Sequence, residues 1–160
     1  MRVIGLFIVG FSIAIIGFHI VYKNIARYNQ LKQIDTMIGN IKQSIKYKKL
    51  PVVDIFVELK SLNKIDFLTD ECISNFEIDF KKMCFENKEL LILNDQKMIL
   101  FEFLSGLGKT DVAGQEEFCE HYKRVFNELI QNAKIEKDKK VKLYPSLFML
   151  FGILVIIVLI

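Results

Sequence analysis

Two stretches carry residue types that do chemistry elsewhere. Gly106-Leu-Gly-Lys-Thr110 ends like a phosphate-binding loop, in which backbone amides and a lysine cradle a nucleotide's phosphates, and Asp111-Val-Ala-Gly-Gln-Glu-Glu117 looks like the second switch of a small GTPase. Spacing rejects both. A phosphate loop closing on Gly108-Lys109-Thr110 requires another glycine at 103, where Phe103 stands, and it must follow a strand, whereas a helical pattern precedes it here. The switch motif belongs well downstream of the loop, and here the two abut. His121 beside Cys119 and Glu120 suggests a metal site, but residues two apart on a helix point to different faces and cannot converge on one ion. The other histidine, His19, lies within the uncharged N-terminal run, so no Ser-His-Asp or paired-carboxylate arrangement can be argued. The expected catalytic, metal and cofactor sets are therefore empty.

The same residues read well as a helix–loop–helix corner. Glycine at 106–108 can take the left-handed conformation that stops one helix, and Thr110 or Asp111 can cap the next, with Gln115 one turn inside it. Exposed amides at a helix start and short polar side chains also offer directional contacts, so Gly108, Thr110, Asp111 and Gln115 are the candidate protein-binding residues.

Composition explains what such a corner is attached to. The chain has 160 residues, 52% of them hydrophobic, with a mean hydropathy of +0.30, too apolar for an ordinary soluble domain of one core. The excess sits at the two ends: Val3 to Tyr22 and Leu143 to Ile160 contain no Asp, Glu, Lys or Arg. At 1.5 Å per residue these helices would span roughly 30 Å and roughly 27 Å, so the first can cross a hydrocarbon layer and the second needs slight thinning or anchoring by Lys142 and Tyr144. With no small-residue cleavage site after it, the first run reads as an uncleaved anchor. Lys23, Arg27, Lys32 and the lysines of 134–142 lie on the inner side of these runs, which sets the middle of the chain in the cytoplasm. Gly10, Ala14 and Gly17 form a small-residue stripe where another membrane helix can pack, the chain's own C-terminal helix with Gly152 or, in a homo-oligomer, a second copy. His19 at the cytoplasmic end is read as interfacial. A net charge of only +3 argues against nucleic acid as a partner. Cys72, Cys84 and Cys119, an odd set without C-x-x-C spacing, read as reduced, buried small hydrophobes.

The expected organisation is an anchor at 1–22, a cytoplasmic helical bundle at 23–142 and a C-terminal membrane helix at 143–160. In the middle, Leu31, Ile34, Ile38, Ile41 and Ile45 fall on one helix face, continuing the anchor. Leu50-Pro51 interrupts, and a second helix carries Val52, Phe56, Leu59 and Leu62. Thr69 or Asp70 caps a third with Cys72, Phe76, Phe80 and Met83 inward. Asn94-Asp95 opens a fourth with Ile99, Phe103 and Leu104, and the last long helix turns Phe118, Tyr122, Val125 and Leu129 inward. No sustained alternation of period two occurs, and the short run Leu90 to Leu93 lacks a partner, so the fold class is all-α.

The motif Leu107-Gly108-x-Thr110-Asp111-x-x-x-Gln115, a long charged helix, and then Lys142-Leu143-Tyr144-x-x-Leu147-x-x-Leu150-x-Gly152 with an isoleucine-rich end resemble the stage III sporulation protein AB family of spore-forming Firmicutes. Ile45-x-Tyr47, Leu50-Pro51 and Asn94-Asp95 extend the resemblance over nearly the whole chain. Phe148, Pro145 and the trio Lys42, Gln43 and Ser44 depart from the family's usual glycine, polar and acidic residues at those places. The resemblance implies a non-enzymatic component of the channel complex in the mother-cell membrane around the forespore. It further implies a domain similar to the platform protein of type II secretion, with a secretion-type ATPase and other channel proteins of the same operon as partners, and no small-molecule substrate. The competing expectation is an accessory subunit of a small membrane transporter or enzyme, motivated by His19 and the small-residue stripe.

Overall fold

The computed structural model describes residues 2–48, 50–61, 65, 67, 73–74 and 77–159; at 2–11, 13, 14, 16, 73, 74, 77, 78, 149, 153 and 155–159 it describes the backbone alone. The elements are α1 (Arg2–Gln43), a π-helical turn (Ser44–Lys48), α2 (Val52–Ser61), a two-stranded pairing of β1 (Ile73–Ser74) with β2 (Glu77–Ile78), a second π-helical turn (Lys82–Glu86), α3 (Asn94–Gly106) and α4 (Val112–Leu159). The fold is all-α, since the strands are two residues each and pair only with one another, Ile73 with Ile78 and Ser74 with Glu77.

The chain divides into two compact units, Asn29–Ile130 and a pair formed by Met1–Tyr28 with Gln131–Ile160. In the first, Leu31, Ile34, Met37, Ile38 and Ile41 of α1 are fully buried, the stripe that steps of three and four require. Pro51 stands just outside α2, its carbonyl accepting the Ile55 amide at 3.2 Å, and Ile55, Phe56 and Leu59 turn inward. The Phe56 and Phe80 rings meet at 5.7 Å.

The third expected helix is not formed as read. Residues 73–74 pair antiparallel with 77–78, favoured by the β-branched Ile73 and Ile78, and a short turn with Met83 and Cys84 buried follows. Thr69, Asp70, Cys72, Phe76 and Leu62 lie outside the described residues.

Residues 90–93 form an irregular segment that bends at Ile92, with Leu90 and Ile92 buried. Its missing strand partner is a side chain: buried Gln30 donates to the Glu89 carbonyl and accepts the Leu91 amide at 2.7 Å, taking the place of a neighbouring backbone. Helix α3 begins one residue earlier than a cap at Asn94 would place it. Leu93 is the N-cap and cannot cap with its own side chain, so Gln96 reaches back to accept the Leu93 amide at 3.1 Å, half of a capping box. In the part of α4 that belongs to this unit, Gln115, Cys119 and Phe126 are buried while Phe118, Tyr122, Val125 and Leu129 are half-buried, so the inward stripe is rotated by about one residue from the expected one.

In the second unit the two helices run antiparallel, because contacts fall in α4 as they rise in α1: Gly17 lies against the Phe148 ring, Lys140 donates to Asn24 Oδ1 at 2.9 Å, and Arg27 pairs with Glu136 at 2.9 Å. Pro145 lies inside α4, where it removes one amide donor; the Ser146 hydroxyl bonds the Lys142 carbonyl one turn back. Among the described residues no helix is long and apolar enough to cross a membrane. Most side chains of the apolar runs expected to do so, Val3 to Tyr22 and Leu143 to Ile160, lie outside the described set.

Candidate functional site

The α3–α4 corner is built from below by aromatic rings. Phe103, Phe118 and Tyr122 form a triangle with centroid separations of 5.8, 5.3 and 4.9 Å, and they lock the end of α3 onto the start of α4. Gly106 is the last residue of α3, and a Cβ there would collide with the Phe118 ring, so this glycine serves close packing. Gly108 alone takes a positive φ, 79°, and makes the reversal. One sequence run of two glycines thus divides into a contact and a turn.

Asp111 is the N-cap of α4. Its Oδ1 accepts the Gly114 amide at 3.1 Å, which satisfies one of the orphan donors of the first turn, its carbonyl accepts the Gln115 amide at 2.9 Å as the first bond of the helix, and a carboxylate stands at the positive end. Gly114 has to be small, since a Cβ would lie 2.9 Å from that Oδ1 and 3.0 Å from Thr110 Oγ1. Gln115 is 4% exposed; its Nε2 donates to Thr110 Oγ1 at 3.0 Å, and its Oε1 is buried without a hydrogen-bond partner among the described residues. The four candidate residues are therefore brought together, in two roles. Gly108, Thr110 and Asp111 are exposed, while Gln115 braces them from beneath.

The corner is clamped to the end of α1 by charge. Lys42 pairs with Glu120, and Lys46 with Glu116 at 3.1 Å. The hydrogen bond between Lys42 and Glu120 raises the lysine and lowers the carboxyl from their ordinary values. Cys119, between those acids in sequence, is fully buried, and desolvation pushes its thiol up to about 11, which removes it as a nucleophile at neutral pH. Tyr122 is raised for the same reason. His121 is exposed with its ring edge against Tyr122, and no group of three potential metal ligands occurs among the described residues.

Of the small-residue stripe, Gly17 is in close contact with Phe148, whereas a Cβ at Gly152 would meet nothing within 4 Å; the side chains at Gly10 and Ala14 lie outside the described residues. Phe148, which departs from the glycine expected at its place, is the residue that fills the space over Gly17. His19 is exposed.

The family model described as stage III sporulation protein AB matches residues 2–160, which includes the corner, the clamp and both helices of the second unit. The chain belongs to the stage III sporulation protein AB family. Its role is thereby in sporulation. No curated protein and no solved structure matches it. For this stage III sporulation protein, the aromatic triangle, the Gln30 clamp and the Lys42–Glu120 pair are features that sequence reasoning missed. The triangle had a signal, since Phe103, Phe118 and Tyr122 were each assigned inward, but nothing local says that they meet one another.

Proposed function

We propose that this protein is a non-enzymatic membrane scaffold of the channel between mother cell and forespore, held in the mother-cell membrane around the forespore by the Met1–Tyr28 and Gln131–Ile160 pair, and that its cytoplasmic unit docks a secretion-type ATPase and couples it to other channel proteins. The observation that carries this reading is the outer surface of the helix pair. Phe18, Tyr22, Leu143, Leu147, Leu150, Phe151 and Leu154 are all more than half exposed, up to 72% at Phe18, along runs that hold no charged residue. A contiguous apolar face of this size has no place in water and fits a lipid environment.

The corner supports docking for a separate reason. Its polar atoms are held by the cap, the glycine turn and the aromatic triangle beneath, so a partner meets a pre-organised surface with little ordering cost. Thr110, Asp111, Val112 and Ala113 are exposed on one short stretch.

Tagged full-length protein purified from sporulating cells is expected to remain in the membrane fraction after alkaline extraction and to bring the ATPase and channel proteins with it. Ala113→Arg, at an exposed position outside the cap network, is expected to lower ATPase recovery at least fivefold with an unchanged helical signal and melting temperature. Recovery equal to that of the unsubstituted protein would remove the corner as the docking surface.

A further inference from the structure

Charge is unevenly divided between the two units. Met1–Tyr28 with Gln131–Ile160 holds eight basic and two acidic residues, and Asn29–Ile130 holds fourteen and seventeen, an asymmetry hidden in the overall +3. The basic groups of the helix pair fall into two kinds. Arg27, Lys137 and Lys140 are engaged within the pair, with Glu136, with the Tyr28 ring at 4.4 Å and with Asn24. Lys23, Lys134, Lys139 and Lys142 are exposed, and none has an acidic partner among the described residues.

The register of the pair decides where these lysines lie. Gly17 beside Phe148 and Asn24 beside Lys140 put Tyr22 and Lys23 level with Lys142 and Leu143, and Lys139 is about one turn, roughly 5 Å, further from the apolar end. On both helices the uncharged run begins at that level. A lysine stem can lie along such a boundary with its ammonium in the headgroup layer, and tyrosine favours the same depth.

We infer that Lys23, Lys139 and Lys142, with Tyr22 beside them, form a ring that binds the phosphate of anionic phospholipids. An acidic protein would match the charge alone, whereas a lipid matches both the cations and the apolar face that starts beside them. The inference rests on the membrane reading proposed above.

The test uses the full chain purified in a neutral detergent, melted by circular dichroism with added phosphatidylglycerol, phosphatidylcholine or inorganic phosphate. Phosphatidylglycerol is expected to raise Tm by about 3–5 °C, with no shift from the other two. Lys23→Gln, Lys139→Gln and Lys142→Gln combined should melt like wild type in detergent alone and lose the lipid shift, and the corresponding arginine variant should keep it. Should the glutamine variant fold poorly, the wild-type shift still has to shrink in 0.5 M salt, where the Debye length is about 4 Å against roughly 30 Å in 0.01 M buffer. An equal shift with phosphatidylcholine, a shift reproduced by phosphate alone, or a shift indifferent to salt overturns the inference. A chain that needs detergent yet ignores headgroup charge overturns this inference only, and one that stays monodisperse in water without detergent overturns the membrane reading itself.

Discussion

At the corner, Gly108 holds a φ of 79° while Gly106 lies under Phe118, so the same substitution should act through different physics at the two places. Gly108→Ala forces a side chain into the left-handed region and is expected to cost about 1 kcal/mol. Gly106→Ala pushes a methyl into a ring and is expected to cost about 1–3 kcal/mol, with a change in the near-ultraviolet signal of the tyrosine stacked there. Chemical denaturation separates the two. Asp111→Ala removes the acceptor of the Gly114 amide and should lose about 1 kcal/mol, whereas Asp111→Asn keeps a capping oxygen and should lose much less. At Cys119 the expectation is kinetic: buried, with its pKa at about 11, it should resist a thiol reagent at pH 8 in the native protein and react promptly once denatured.

Between elements, the Lys42–Glu120 pair ties the end of α1 to the first turns of α4, and its consequence is a pH dependence. Glu120 is lowered from 4.5 by its hydrogen bond to Lys42, so its contribution is present above that ordinary value and is lost as pH falls through the lower folded one. Lys42 is raised from 10.5 by the same bond, so its contribution is complete below 10.5 and disappears as pH rises through the higher folded value. Melting temperature followed from pH 3 to 11 should therefore fall at both ends in wild type, with the acid and the alkaline components both reduced in Glu120→Gln and in Lys42→Met, since each shift depends on the partner. Glu120 is exposed and Lys42 half-buried, and added salt should weaken the effect.

For the whole molecule the consequence lies in the apolar face of the helix pair. Leu150 is 67% exposed near the middle of an uncharged run. Leu150→Lys is expected to leave the helical signal unchanged and to disfavour insertion by about 3 kcal/mol, read as a shift of the protein from the carbonate-resistant membrane pellet to the extract. The same change at exposed Glu128, in the other unit, should leave that distribution as it was.

What the residue order determined by itself is whatever depends on neighbours within a turn or two. The α1 stripe from Leu31 to Ile41, the interruption at Pro51, a cap at Thr110 or Asp111, a glycine reversal within 106–108 and the uncharged runs at both ends follow from periodicity, backbone allowance and charge alone, while the choice of Asp111 and Gly108 belongs to the fold. Tertiary structure decided what those rules leave equal. In α4, two adjacent stripes are both apolar enough to face inward, and the packed surroundings chose the one with Gln115, Cys119 and Phe126, leaving the larger Phe118 and Tyr122 to close on Phe103. At 73–74 and 77–78 helical and extended readings are close in local propensity, and backbone pairing settled it. Gln30 looks like one more polar residue on a helix until the Glu89 carbonyl and the Leu91 amide, about 60 residues later, meet its side chain. Local rules act over about 6 Å of helix, and each of these choices required a partner that is distant in sequence and adjacent only in the folded chain.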